Sequence, residues 1–158
     1  MKILITDQKE AFGAWVAEKV EMRAPWGGFY AMGVVDTEKK AIVAGVVINQ
    51  FNGSNALAHI AIERGAGRQI IKMLESVADY AFNQCNLKRL TGMVPASKPD
   101  VLAFDLNLGW QHEFTMKCGA PDGEDMHVLV MWPEKCKWLK PRQEAKTKEQ
   151  EDESQQNP

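Results

Sequence analysis

The sequence predicts an α+β fold built on a mixed, mostly antiparallel sheet with helices packed against it. Short apolar segments separated by turn-rich stretches predict strands, and a longer segment with a 3.6-residue apolar period predicts a helix. One strand–helix–strand unit, from Ala56 to Val94, suits a right-handed parallel crossover. The 158 residues, 45% apolar and 25% charged, fit one domain with a sizeable core.

The first part of the chain is predicted to form one helix and three strands. The helix spans Gln8 to Val20, because Phe12, Val16 and Val20 recur at helical spacing, and Asp7 is a suitable N-cap. Polar stretches that favour turns separate the segments that follow. The three predicted strands are Phe29 to Val35, Ala41 to Ile48 and Ala56 to Ile62.

The second part begins with the clearest helix, whose apolar stripe runs from Ile70 to Cys85. A shorter helix is predicted from Pro99 to Leu108, and Gly109 ends it as a good C′ residue. The remaining predicted strands are Leu87 to Val94, Trp110 to Lys117 and Met126 to Trp132.

The composition changes after Leu139, because Lys140 to Pro158 contains no large apolar residue. Such a segment cannot bury enough surface to offset the entropy of ordering. We therefore expect a folded domain over residues 1–139 and a disordered, charged tail over residues 140–158, either solvated or binding a partner.

Charge and composition exclude several classes of protein. The formal net charge of −2 gives no basic field for nucleic acid, and no apolar run is long enough to span a membrane. The N-terminal segment is too short and too soon charged for a signal peptide, so we expect a cytoplasmic protein. Cys85, Cys118 and Cys136 have neither disulfide nor zinc spacing and are predicted to be free thiols, while His112 and His127 form no metal constellation with them.

The informative stretch is Ile60 to Gln69, where a predicted strand enters a glycine-containing turn before the long helix. The first amides of a helix lack intrahelical partners and carry partial positive charge. Gly65 and Gly67 would let a phosphate approach the backbone, and Arg64 and Arg68 would add charge beside it. The alternative is an ordinary tight strand-to-helix turn.

The segment Arg64-Gly65-Ala66-Gly67 resembles the pyrophosphate loop of the GNAT superfamily of N-acetyltransferases, although Gln69 replaces a small residue. The segment from Val94 to Trp110 resembles that superfamily's second signature: a strand end, a turn, a helix and a Leu-Gly-aromatic ending. Two further segments, Ala44 to Asn49 and Val128 to Glu134, are similar to GNAT-type proteins encoded by tailed bacteriophages, which would place the chain in a host cytoplasm.

The resemblance implies the GNAT fold, with six to seven strands, a parallel fourth and fifth strand that splay apart, and acetyl-CoA between them as co-substrate. It implies direct attack by a primary amine of a protein or small molecule, and it is compatible with a homodimer. The residues it assigns to acetyl-CoA are Ile60, Ala61, Ile62, Arg64, Gly65, Ala66, Gly67, Arg68 and Gln69.

Candidate catalytic residues follow from the same comparison. His59, in the middle of the family's fourth strand, could accept a proton from the amine, or could instead be a packed core residue. Glu63 is the alternative base, or a solvated charge at a helix start. Asp105 stands where many members have the Tyr that protonates the leaving thiolate, and Lys98 replaces the family's Asn. An ionised Asp cannot protonate a thiolate, so these departures favour the rival interpretation, a non-catalytic GNAT-fold interaction protein.

The acceptor pocket is expected from Glu18 to Trp26 and from Cys118 to Met126, the family's acceptor-binding segments. Glu124 and Asp125 would attract a cationic amine or simply form a solvated turn. Four tryptophans would line the pocket or pack the core: Trp26, Trp110, Trp132 and Trp138.

Overall fold

The computed structural model describes residues 1–141, so nearly all of the expected tail, residues 142–158, lies outside the described residues. Seven strands and three α-helices make up the described part. The strands are β1 (Lys2–Ile5), β2 (Phe29–Asp36), β3 (Ala41–Asn49), β4 (Asn55–Ile62), β5 (Arg89–Pro95), β6 (Gln111–Met116) and β7 (Met126–Met131). The helices are α1 (Lys9–Lys19), α2 (Gln69–Ala78) and α3 (Pro99–Asn107).

All seven strands belong to one mixed sheet in the order β1-β2-β3-β4-β5-β7-β6. Every neighbouring pair is antiparallel except β4 and β5, which are parallel and joined by the α2 crossover. The predicted α+β class, the strand count and the parallel pair are therefore confirmed.

Three local expectations need correction. The strand β1 had not been expected; it pairs along the outer edge of β2, from Lys2 opposite Asp36 to Ile5 opposite Gly33. The N-cap of α1 is Gln8 rather than Asp7, and it makes no side-chain capping bond. The long helix is α-helical only to Ala78 and continues as a π-helical segment, Asp79–Gln84.

The two faces of the sheet bury separate apolar clusters, because successive strand residues point to opposite sides. The face toward α2 holds the larger one, which includes Met32, Val46, Met73 and Leu129. The face toward α1 holds Phe12, Val16, Ala31 and Val47. These clusters hold the two helices against opposite faces of the sheet.

Paired glycines bring α1 close to the sheet. Gly33 and Gly45 lie opposite each other on β2 and β3, and side chains at those positions would run into Phe12 and Val16 of α1. The absence of Cβ atoms therefore seats the helix directly on the backbone and fixes where its C-terminal end lies. Among residues 1–141, no helix has the length and apolar character needed to cross a membrane.

Candidate functional site

The sheet opens between β4 and β5. The two strands pair only from Asn55 opposite Arg89 to Leu57 opposite Thr91, and the hydroxyl of Thr91 donates a hydrogen bond to Asn55 Oδ1 at 2.7 Å. Beyond that point β4 continues to Ile62 and β5 to Pro95 without pairing with each other. The strand edges facing the gap are therefore available to another molecule.

A cavity of about 910 Å³ occupies this opening. Its walls come from the diverging strands, from α3, from the end of α1 with the loop after it, and from the β6–β7 loop. A volume of this size is within the range of small-molecule and cofactor sites. The lining includes six of the predicted site residues: His59, Ile60, Ala61, Ile62, Glu63 and Arg64.

His59 lies on the wall of the cavity and on the α1 side of the sheet. Its Nε2 atom is 3.0 Å from Asn49 Oδ1, and its ring lies 4.7 Å from the Trp26 ring, centroid to centroid. Burial lowers the pKa of His59 to about 4, because a charged imidazole would lose its hydration there. At neutral pH the ring is therefore uncharged and able to accept a proton, and it is both a packed residue and a cavity residue.

Glu63 also lines the cavity, at the end of β4, but its carboxylate is already engaged. Lys19 Nζ at the end of α1 lies 2.7 Å from Glu63 Oε1. This ion pair is exposed, so it contributes little stability, yet it occupies one carboxylate oxygen of Glu63 with a cation. As a base, Glu63 is therefore less well placed than His59.

Both glycines of the turn before α2 adopt left-handed backbone. Gly65 and Gly67 have φ angles of 82° and 79°, in the left-handed region where glycine is strongly favoured. Arg68, at the N-cap of α2, makes no side-chain capping bond, and the first turn of α2 contains no acidic residue. Of the predicted phosphate-binding residues, only Arg64 lines the cavity. The turn then leads away from the cavity, so its lining does not include Gly65, Ala66, Gly67, Arg68 and Gln69.

Asp105 on α3 faces the cavity opposite β4. Burial raises the pKa of its carboxyl group to about 6, because the ionised form is poorly hydrated. Near neutrality Asp105 is therefore mostly ionised, with a minor fraction protonated. Lys98, which also lines the cavity, lies 3.7 Å from Glu21 in an exposed ion pair.

The two tyrosines stack on each other with ring centroids 3.9 Å apart, on the α2 side of the sheet. Burial is the main reason that the pKa of Tyr80 rises to about 12, and a hydrogen bond with Cys85 adds to the effect. Neither Tyr30 nor Tyr80 lines the cavity. The position of the family's acid is therefore not filled by a tyrosine from elsewhere in residues 1–141.

The side of the cavity where the acceptor pocket is expected combines predicted and unpredicted residues. Val20, Glu21, Met22 and Arg23 line the cavity within the predicted segment Glu18 to Trp26, and Gly119, Pro121 and Met126 line it within the predicted segment Cys118 to Met126. Glu124 instead accepts hydrogen bonds from the amide and hydroxyl of Ser97, which follows β5, and Asp125 accepts one from the Cys118 amide within its own loop. Sequence reasoning missed Trp15, Asn49, Met93 and Phe104, which became identifiable only once the strands were paired.

The predicted tryptophans have different roles. Trp110 is buried and also lines the cavity, and Trp26 packs on His59. Trp132 lies under the Arg89 guanidinium, and Trp138 donates to the Leu108 carbonyl at 3.1 Å. His112, His127 and Thr115 form an exposed hydrogen-bonded cluster, and within the described chain no group of three His, Cys, Asp or Glu residues is placed to hold a metal ion.

No protein-family model matches the sequence, and no curated protein sequence matches it. Solved structures do match the fold. A chimera of the spermidine N-acetyltransferase SpeG from Vibrio cholerae and hSSAT superposes with a TM-score of 0.65 at 14% identity, over 85% of this chain and 96% of that one. A dodecameric structure of the Vibrio cholerae enzyme superposes with a TM-score of 0.64 at 13% identity, over 85% of this chain and 95% of that one. Together with the seven-stranded sheet and its parallel β4–β5 splay, these likenesses show that the chain has the GNAT fold.

Proposed function

We propose that the protein transfers an acetyl group from acetyl-CoA to a primary amine. The observation that carries this proposal is the cavity between β4 and β5. It has an uncharged histidine on its wall, and its lining on β4 ends at Arg64, directly before the glycine turn and the start of α2, which has no side-chain cap. Such a helix start suits the pyrophosphate, and the unpaired edge of β4 suits the pantetheine amides.

In the proposed reaction the amine nitrogen attacks the thioester carbonyl carbon directly. A C–N bond forms, the C–S bond breaks, and the amine gives up one proton while the departing thiolate gains one. The products are an acetamide and the CoA thiol, so no external oxidant or reductant is needed. Residues Ile60 to Ile62 would bind the pantetheine and thioester carbonyl through backbone groups, and Arg64 to Gln69 would bind the phosphates.

His59 is the proposed proton acceptor, with Glu63 as the alternative. A base with a pKa near 4 is too weak to deprotonate an ammonium ion in advance of the reaction. It can take the proton as the C–S bond breaks, because the N-protonated amide that would otherwise form is a strong acid. The preference for His59 over Glu63 rests on the 2.7 Å contact that commits Glu63 to Lys19.

The proposed acceptor is a primary amine with an apolar body. The charges around the cavity are balanced: four basic residues (Lys19, Arg23, Arg64, Lys98) face four acidic ones (Glu21, Glu63, Asp100, Asp105). Two of the acids are paired with Lys19 and Lys98, and the pKa of Asp105 is raised. We therefore expect spermidine, the substrate named for the structural neighbours, to be a poorer acceptor than an aralkyl monoamine or a peptide amine.

A second candidate is a non-catalytic interaction protein, including one encoded by a bacteriophage and acting on a host target in the host cytoplasm. The specific observation that favours it is Asp105 at the position of the family's Tyr, with Lys98 at that of its Asn. In either case we expect the chain to self-associate, at least as a homodimer, since one structural neighbour is described as a dodecamer.

Calorimetry with acetyl-CoA separates the two candidates at their first step. We expect binding that weakens by about 1–3 kcal/mol in Arg68→Ala if the guanidinium pairs with phosphate. Lys72→Ala, an exposed change on the next turn of α2, is the matched control and should bind as the unmodified protein does. No binding at millimolar acetyl-CoA would refute the enzyme proposal.

Turnover is then measured with labelled acetyl-CoA and a panel of spermidine, an aralkylamine and lysine-containing peptides. Mass spectrometry of a treated lysate extends the panel to proteins. His59→Ala should lower the rate by about 100-fold or more if His59 accepts the proton. Tight binding without transfer to any acceptor in either assay would favour the non-catalytic candidate.

A further inference from the structure

Asn49 is a buried polar side chain beside the cavity, with only 2% of its surface exposed. It ends β3 opposite Leu57, while His59 lies two residues further along β4 opposite Val47. Asn49 and His59 are therefore diagonal neighbours on the same face of an antiparallel pair, close enough for their side chains to meet. The amide of Asn49 bridges His59 and the backbone of Trp26.

The two hydrogen bonds of Asn49 fix which atom donates in each. The Trp26 carbonyl oxygen can only accept, so the nitrogen that lies 3.0 Å from it must be Asn49 Nδ2. The oxygen Asn49 Oδ1 then faces His59 Nε2 at 3.0 Å, and a carbonyl oxygen can only accept. His59 Nε2 must therefore carry a proton, and in the neutral ring Nδ1 is left with a free lone pair.

We propose that Asn49 is a positioning residue that holds His59 in the tautomer protonated on Nε2, so that Nδ1 is the atom that accepts the proton of the acceptor amine. This inference rests on the proposed function for the identity of the proton donor, although the tautomer itself does not. Trp26 completes the arrangement: its carbonyl orients Asn49, its ring packs on His59, and its Nε1 donates to the Gly13 carbonyl of α1 at 2.9 Å.

The surroundings of His59 leave this role to Asn49. Eight charged side chains line the same cavity: Lys19, Glu21, Arg23, Glu63, Arg64, Lys98, Asp100 and Asp105. Lys19 and Glu63 are paired with each other, as are Lys98 and Glu21. Among the residues that the structure describes, no second hydrogen-bond partner of the His59 ring is found, so an amide and not a carboxylate orients the imidazole.

Nitrogen-15 NMR of the histidine rings reads the tautomer directly and needs no substrate. We expect the His59 signals of the full chain at neutral pH to show a protonated Nε2 and an unprotonated Nδ1. The Asn49→Leu variant, similar in size but without polar atoms, should give signals averaged between tautomers. A protonated Nδ1 in the unmodified protein, or an unchanged His59 pattern in Asn49→Leu, would overturn the proposal.

Kinetics supply a second readout. Asn49→Leu should lower kcat by about tenfold or more and leave KM for acetyl-CoA unchanged. An unfolded fraction would also lower the apparent kcat at constant KM, but the folded remainder would keep the unmodified tautomer pattern, so the NMR spectrum distinguishes the two causes. Asn49→Asp keeps an acceptor for Nε2 and adds a negative charge. It should restore the Nε2-protonated pattern, and the pH profile of kcat should shift to higher pH because the charge raises the pKa of His59. Asn83→Leu, which also removes two amide hydrogen bonds but outside the cavity, is the control.

The outcomes separate this inference from the proposed function. If no amine is acetylated by the unmodified protein, the proposed function fails while the NMR pattern still tests the tautomer. If acetylation occurs and the ring is protonated on Nδ1, the role of Asn49 fails while the proposed function stands.

Discussion

At the scale of single residues, the cavity holds two ionisable groups whose pKa values are shifted in opposite senses. Burial lowers the pKa of His59 to about 4 and raises the pKa of Asp105 to about 6. The unfolded chain binds the His59 proton more readily than the folded one, so His59 costs stability as pH falls from about 6.5 to 4. Asp105 does the reverse and costs stability as pH rises from about 4 to 6.

We therefore predict that the two effects offset each other between pH 4 and 6, and that single substitutions expose them. As pH falls from 6 to 4, the free energy of unfolding of His59→Gln should rise by about 3 kcal/mol relative to that of the unmodified protein. As pH rises from 4 to 6, the free energy of unfolding of Asp105→Asn should rise by a similar amount relative to that of the unmodified protein. Denaturant unfolding at several pH values measures both differences. Differences that do not change with pH would show that these groups are not buried as the structure has them.

Asp105 also leads to a kinetic prediction. Above pH 6 it is mostly ionised and repels a developing thiolate, whereas below pH 6 its protonated form can donate to it. If the protein catalyses the proposed reaction, the rate of Asp105→Asn divided by that of the unmodified protein should thus be one or more at pH 8 and should fall toward pH 6. Asp100→Asn, at another cavity acid of α3, controls for the loss of one charge. A collapse of the Asp105→Asn rate at pH 8 would instead make this carboxyl group essential.

The sequence identifies the two candidate bases but not the side chains that contact them. His59 and Glu63 could be proposed as bases because they belong to a strand that precedes a recognisable turn. The groups that distinguish them, Asn49 and Lys19, come from a different strand and from a helix 44 residues away in the chain. Their contacts depend on strand register and helix placement, which composition and spacing do not specify.

At the scale of elements, the glycine turn before α2 yields a prediction about ligand binding. A Cβ atom added at Gly67 would lie 3.5 Å from Lys2 Cδ, an ordinary contact. The main costs of Gly67→Val are therefore a φ of 79° that valine disfavours and, under the proposed function, a side chain in the path of the phosphate. Gly67→Val should lose roughly 1–3 kcal/mol of stability and nearly all affinity for acetyl-CoA.

The matched control for that prediction is Gly53→Val in the β3–β4 turn, where φ is 92° and nothing lies within 4 Å of the added Cβ. It should lose a similar amount of stability and keep its affinity, because it lies at the opposite end of β4. Thermal melts and calorimetry on both variants make the comparison. Equal loss of affinity in the two would mean that backbone strain, and not the turn, had reduced binding.

Elements with a strong periodic signal were predicted well, and the weak ones were not. The apolar stripe of α2 predicted a continuous helix, yet periodicity cannot distinguish an α-helix from its π-helical continuation over Asp79–Gln84. The four residues of β1 are too few for a pattern and become a strand only because the edge of β2 accepts them. The Asp7 cap failed because the helix begins one residue later, a boundary that local preference alone fixes poorly.

At the scale of the whole molecule, the fold follows from the sequence while the shape of the cavity does not. The crossover from Ala56 to Val94 predicts that β4 and β5 are parallel neighbours, and the GNAT resemblance predicts that they splay. How far they stay paired depends on the hydrogen bond between Thr91 and Asn55 and on the side chains that line the opening beyond it. Those contacts join elements that are distant in sequence and exist only after the sheet has formed.

The boundary of the domain gives a last prediction. Composition places it after Leu139, but the structure shows contacts up to Lys140: its carbonyl accepts from Asn83 Nδ2 at 3.0 Å, and its Nζ lies 3.1 Å from Glu75 Oε1. We propose residues 1–141 as the folding unit.

In denaturant, a chain ending at Pro141 should have a free energy of unfolding within about 1 kcal/mol of that of the full chain, because residues 142–158 contain no large apolar side chain. A chain ending at Lys137 should lose about 3 kcal/mol or more, since Trp138 packs against the main core and binds the Leu108 carbonyl. If the two truncations were equally stable, Trp138 would contribute nothing and the boundary would lie before it; if the chain ending at Pro141 also lost several kcal/mol, residues 142–158 would belong to the folded domain.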